Sequence, residues 1–315
     1  MNGKGAIWVL AAVLGAAGCG KPPAPEPAAA APAPAAVSGA AALEEVRRFV
    51  ALGPRDAGTP GAEQAAGYLF ERLQALGVEA EIQEFQDASP LGEPTFRNVL
   101  GRIPGTSDRI VLLGSHYDTK VGIAGFAGAN DSGSSTGLLI ELARALKANG
   151  PHPLEIRFAF FDGEECRVEY GPGDGFHGSE HLAAAMAADG SLSNTAAMIL
   201  LDMVGDKDLT ITIPRNGAPE LIALAFEAAR AEGTRKHFQL HPGQISDDHT
   251  AFFRRGVPAV NLIDFSYGSA PGKNDYWHTA EDALDKISAE SLEIVGRVAA
   301  RMVEEIARRE AAAEK

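Results

Sequence analysis

The chain has 315 residues, 45% of them hydrophobic, which is enough to build one large domain around a sizeable core. Its formal net charge of -14 excludes the basic surface by which a nucleic-acid partner is usually held. The two cysteines, Cys19 and Cys166, fall in segments of such different character that no internal disulfide is expected.

The first segment carries an export signal. Ala6 to Gly18 is an apolar, small-residue run behind Lys4 that closes on Ala-Ala-Gly before Cys19. It reads as a leader of residues 1–19, with Cys19 as a lipidated mature N-terminus and an ordinary signal peptide as the alternative. The run is too short for a comfortable membrane span. Residues 20–39 then shift to Pro and Ala, six of the 19 prolines lying between Pro22 and Pro34, and such a segment reads as a semi-extended tether. The expectation is an exported, periplasmic or cell-envelope lipoprotein whose only membrane contact is the anchor at Cys19, followed by a catalytic domain over residues 40–315.

Within that domain helical and strand-like patterns alternate. Leu43 to Leu52 and Ala62 to Leu76 have helical spacing, with Gly77 at a C-cap position. Strands are predicted over Val78 to Phe85, Phe96 to Ile103 and the apolar Ile110 to Leu113. A helix over Gly137 to Leu146, a strand over Glu155 to Phe161, a helix over His177 to Ala188 and a strand over Ala197 to Leu201 follow. Amphipathic helices at Leu221 to Ala231 and Leu292 to Ala307 bracket a last strand, Ala259 to Ile263. This order implies an α/β fold: a mostly parallel, mixed central sheet with helices on both faces. The amphipathic faces are accounted for by a monomer's own core.

In such sheets ligands sit beyond the carboxyl ends of the strands, and polar residues cluster at those ends here. His116-Tyr117-Asp118 follow one strand, Asp162 to Glu165 another and Asp202 a third, with Asn130-Asp131-Ser132 and Trp277-His278-Thr279 in loops. A strand-end acid or histidine taken singly is more often a solvated loop residue or a helix cap. Five such groups together suit a catalytic zinc, which takes three N or O ligands and keeps a fourth position open. Glu164 and Glu165 point different ways, so one can bind metal while the other stays free as a general acid/base.

In this order His116-Tyr117-Asp118, Gly128-Ala129-Asn130-Asp131, Asp162-Gly163-Glu164-Glu165, Leu201-Asp202 and His278-Thr279 resemble the M28 zinc aminopeptidase superfamily, from about Leu43 to the C-terminus. Two branches compete. The aminopeptidase resemblance implies two zincs on His116, Asp131, Glu165, Asp202 and His278, with Asp131 bridging and His116 and Asp202 completing the second site. The glutaminyl cyclase resemblance implies one zinc on Asp131, Glu165 and His278. The long segment from Glu165 to Ala183, the run Asp247-Asp248-His249 with Phe252 to Pro258, and Trp277 are similar to the cyclase branch. Tyr170 stands where animal cyclases carry Trp, Ser246 where Gln is usual, and Asn261 where a His is usual.

The cyclase resemblance implies conversion of an N-terminal Gln of peptides or proteins to pyroglutamate with release of ammonia. Glu164 would be the proton carrier, Asp202 and Asp247 a hydrogen-bonded pair beside it, and Trp277, Tyr170 and Asn261 substrate contacts. A dinuclear aminopeptidase is the alternative.

Overall fold

A computed structural model describes residues 36–313 together with Met1. The leader, Cys19 and nearly all of the Pro/Ala-rich linker lie outside the described residues. In chain order the elements are α1 (Gly39–Val50), α2 (Pro60–Ala75), β1 (Glu79–Gln86), β2 (Thr95–Ile103), β3 (Ile110–His116), α3 (Gly133–Ala148), β4 (Glu155–Phe161), α4 (His177–Asp189), β5 (Thr195–Asp202), β6 (Ile211–Ile213), α5 (Pro219–Ala231), β7 (Phe238–Leu240), α6 (His249–Phe253), β8 (Ala259–Ile263) and α7 (Ala289–Ala313). Every predicted element is present. The short β6, β7 and α6 were not predicted, because three to five residues carry too little periodicity to read.

Local chemistry sets the ends of these elements. Thr59 caps α2 through its side chain and Pro60 supplies the first-turn φ. Gly77, at φ 71, closes the helix, and Val78 N–H reaches back to the Leu73 carbonyl at 3.1 Å. Ser38 caps α1 and Val37 is already buried, so packing begins just before the helix. Gly137 lets α3 lie directly on α1, since a Cβ there would fall 2.5 Å from Val46 Cγ2.

Six strands form one sheet in the order β1-β2-β4-β3-β5-β8. β1, β2 and β4 pair antiparallel, whereas β4, β3, β5 and β8 run parallel. Alternation distributes side chains between two cores: Val111, Leu113, Ile199 and Leu201 face the helices α1, α3, α5 and α7, while Leu112, Met198 and Leu200 face α4 and α6. β4 lies on one side of β3 and β5 on the other, so the winding reverses at β3. The carboxyl end of β3, where His116 sits, is therefore the crevice in which a doubly wound sheet binds its ligand. No helix among the described residues is long and apolar enough to cross a membrane.

Candidate metal centre and active site

Three loops bring the candidate metal-binding groups to that crevice. Asp131 lies between β3 and α3, and its position is fixed through its neighbours. The Asp282 carboxylate accepts the N–H groups of Asn130 at 2.7 Å and Asp131 at 3.0 Å, and the Tyr267 hydroxyl donates to it at 2.8 Å. Glu164 and Glu165 follow β4, and both their N–H groups donate to Asp118, at 3.2 and 3.1 Å. The loop before Asp131 is cradled by the fully buried Arg55, which donates to the carbonyls of Tyr117 at 2.9 Å and Gly128 at 3.1 Å. His278, at φ 54, holds a left-handed backbone conformation that non-glycine residues seldom adopt outside functional sites.

The side chains converge accordingly. His278 Nε2 lies 3.0 Å from Glu165 Oε1 and 3.4 Å from Asp131 Oδ2. His116 Nε2 lies 3.1 Å from Asp131 Oδ1 and 3.4 Å from Asp202 Oδ1. Two groups can thus hold a cation, Asp131-Glu165-His278 and His116-Asp131-Asp202, with Asp131 common to both. The donors suit zinc, which favours imidazole nitrogen and carboxylate oxygen. Asp131 Oδ2 is buried without a hydrogen-bond partner, as expected of an oxygen that serves a cation. Burial opposes a charge on His278, yet Asp131 and Glu165 outweigh it and hold the imidazole up to about 9. Burial likewise opposes ionisation of Asp131, and its two histidine neighbours overcome that to keep the carboxylate well below its ordinary range.

Glu164 belongs to neither group. It is 7% exposed, and burial together with the charges of Glu165, Asp247 and Asp248 pushes its carboxyl well up, against the opposing pull of His116. Beside it is a pocket of about 210 Å³, walled by Phe176, Ile245, Ile263, Phe265 and Trp277 and floored by Asp131, Glu164, Glu165, Asp202 and Asp247. Trp277 stacks on the His278 ring at 4.0 Å and meets Phe265 edge-on at 5.2 Å.

One expectation needs correction. Asn261 does not line the pocket. It is fully buried behind it and donates from Nδ2 to Asp247 Oδ2 at 2.6 Å. Asp202 and Asp247 both line the pocket, and Asp247 is held from behind by Asn261 at Oδ2 and by the Asp248 N–H at Oδ1, the latter at 2.7 Å. Burial, with the charges of Asp202 and Asp248, pushes Asp247 well up. Tyr170 and Trp277 do reach the pocket. Asp282, Tyr267 and Arg55, which hold the loops, were not foreseen; none stands in a motif, and each acts from a part of the chain remote from what it supports.

With the geometry in place, the Peptidase family M28 profile matches residues 98–303. The chain belongs to peptidase family M28. Within that family it is similar to several glutaminyl cyclases. It is 29% identical over 275 residues to the glutaminyl-peptide cyclotransferase of Drosophila melanogaster, covering 78% of this chain and 76% of that protein. It superposes on the glutaminyl cyclase of an Acidobacteriales bacterium with a TM-score of 0.83 and 38% identity, over 90% of this chain and 99% of the other. A Zn-dependent exopeptidase from Parabacteroides distasonis shares the fold, with a TM-score of 0.77 and 27% identity, over 86% and 99% of the two chains. The chain therefore falls in the glutaminyl-peptide cyclotransferase branch of the family.

Proposed function

We propose that this chain is a zinc-dependent glutaminyl-peptide cyclotransferase that closes an N-terminal Gln of peptides or proteins into pyroglutamate and releases ammonia. The observation carrying this reading is Glu164, a buried carboxyl outside both ligand groups on the floor of a small, largely apolar-walled pocket. Zinc held by Asp131, Glu165 and His278 supplies Lewis acidity toward the γ-carbonyl of the substrate.

The chain's own residues do the rest. The pocket, with Trp277 and Phe265 on its wall, folds the glutamine side chain back on itself, so that the α-amine and γ-carbonyl of one residue meet, a proximity gain that can be large. A C–N bond forms between that amine and the carbonyl carbon of the side-chain amide, and the bond from that carbon to the amide nitrogen breaks. Glu164 takes the proton from the attacking amine and gives it to the departing ammonia, so no co-reactant is consumed. A carboxyl held well above its usual range is suited to both halves of that transfer. Asp202 and Asp247, on the same floor, face the leaving nitrogen, and Asn261 fixes Asp247 from behind. The apolar wall excludes water, which favours cyclisation over hydrolysis.

One zinc suffices for this chemistry. His116 spans Asp131 and Asp202, and the hydrogen bonds it donates to these acids and to Asp118 push it well up although burial pulls it down. The second reading, a dinuclear aminopeptidase, is favoured by the His116-Asp131-Asp202 group itself. A Gln-initiated dipeptide separates the two: the cyclase releases ammonia and a blocked product, the peptidase free glutamine. We further propose that the enzyme is a monomer exported by the residue 1–19 leader and anchored through Cys19, a reading supported by the sequence around Cys19.

A further inference from the structure

Adjacent carboxylates with different duties pose a physical problem. Glu164 and Glu165 share a backbone turn anchored on Asp118 and leave it in different directions. Tyr170 reaches both carboxylates. Its hydroxyl lies 2.7 Å from Glu165 Oε2 and 3.2 Å from Glu164 Oε2.

We propose that Tyr170 is a positioning residue that clips the two carboxylates apart, turning Glu165 so that only Oε1 faces the metal and holding Glu164 outside the ligand set. This rests on the reading of Asp131, Glu165 and His278 as the zinc site. A phenol has one proton to donate and lone pairs with which to accept. At 2.7 Å the proton goes to Glu165 Oε2, while Oε1 stays 3.0 Å from His278 Nε2. The same hydroxyl also points to Glu164 Oε2 at 3.2 Å, the longer arm of a shared donation, which ties Glu164 to the same point without giving it a place among the ligands.

The segment carrying Tyr170 is built to hold it still. Asp174 accepts three successive N–H groups, from Arg167 at 2.6 Å, Val168 at 2.8 Å and Glu169 at 2.9 Å. Gly171 and Asp174 exchange both backbone bonds, at 3.1 and 3.0 Å. Gly175, at φ 95, has no Cβ where one would stand 2.8 Å from Tyr170 Cδ1, so the ring lies directly on the backbone. The Phe176 ring stacks on Tyr170 at 5.2 Å, and Lys120 Nζ lies 4.9 Å from the ring centroid. Tyr170 is still 39% exposed, so its ring is not needed to fill the core, and so much surrounding order is explained by the hydroxyl it delivers.

The test compares Tyr170→Phe with Tyr170→Ala, measuring the zinc dissociation constant against a chromogenic chelator and kcat and KM on a Gln-initiated peptide. Removing a partner of a metal-ligating carboxylate typically weakens metal binding about 10- to 100-fold. Tyr170→Phe is expected to lose that much zinc affinity, to approach Tyr170→Ala in doing so, and to lower kcat more than it raises KM. If Tyr170→Phe binds zinc as the wild type does while Tyr170→Ala does not, the ring alone matters and the clip is overturned. Equal zinc affinity in all three proteins overturns it as well. The zinc arm needs no turnover, so a wild type that released free glutamine would defeat the functional reading, while the chelator titration would still decide the role of Tyr170.

Discussion

Replacing Glu164 with Gln isolates the proton-transfer step from metal binding. The substitution keeps the side-chain volume, the backbone bond from residue 164 to Asp118 and an oxygen able to accept from the Tyr170 hydroxyl. It leaves Asp131, Glu165 and His278 untouched. What it removes is the ability to take a proton from the attacking amine and return it to the leaving nitrogen. A positioned general acid/base contributes about 10²- to 10⁴-fold, equivalent to about 3 to 5 kcal/mol of barrier. Glu164→Gln is therefore expected to lower kcat by about two to four orders of magnitude, with KM little changed and zinc per chain equal to wild type. Steady-state ammonia release and metal analysis on the same preparation measure both quantities. Loss of zinc would show that Glu164 is a ligand, and turnover within a few-fold of wild type would show that another group carries the proton. Either result refutes the assignment.

Other consequences can be checked independently. Asp282→Asn puts an amide nitrogen where the Asn130 and Asp131 N–H groups need an acceptor, so zinc affinity should fall about 10- to 100-fold without loss of the fold; unchanged affinity would mean that the Asp131 loop is fixed by other contacts. His249 is fully buried, and burial pushes it down to about 4. The unfolded chain, whose His titrates near 6.5, then takes up the proton first as pH falls. Stability from this group is present above about 6.5 and is lost between there and about 4, with about 2 kcal/mol gone between pH 7 and pH 5. Urea unfolding at those two pH values should show wild type losing about 2 kcal/mol relative to His249→Leu, whose other titrating groups are the same. Parallel losses in the two proteins would place the acid sensitivity elsewhere.

The sequence makes the metal-binding residues readable because an α/β sheet has one place for them. Apolar runs mark the strands, and polar residues just beyond Leu113, Phe161 and Leu201 must converge where those strands end, which is where His116, Glu164, Glu165 and Asp202 are found. The supporting residues are less accessible. Asp282 follows His278 by four positions in a loop rich in charge, and nothing local distinguishes it from a solvated acid; only the fold brings it under Asn130. Asn261 is instructive for a different reason. Strand alternation assigns it the same face as Ala259, toward α6, and that parity alone separates a residue holding Asp247 from one touching substrate.

The apolar pocket wall decides between ring closure and hydrolysis, and the products report that decision directly. With a Gln-initiated dipeptide and the zinc-loaded protein, ammonia and a pyroglutamyl product should appear in equal amounts, with no free glutamine. Free glutamine without ammonia would contradict cyclisation and point to the His116-Asp131-Asp202 group as a working second metal site.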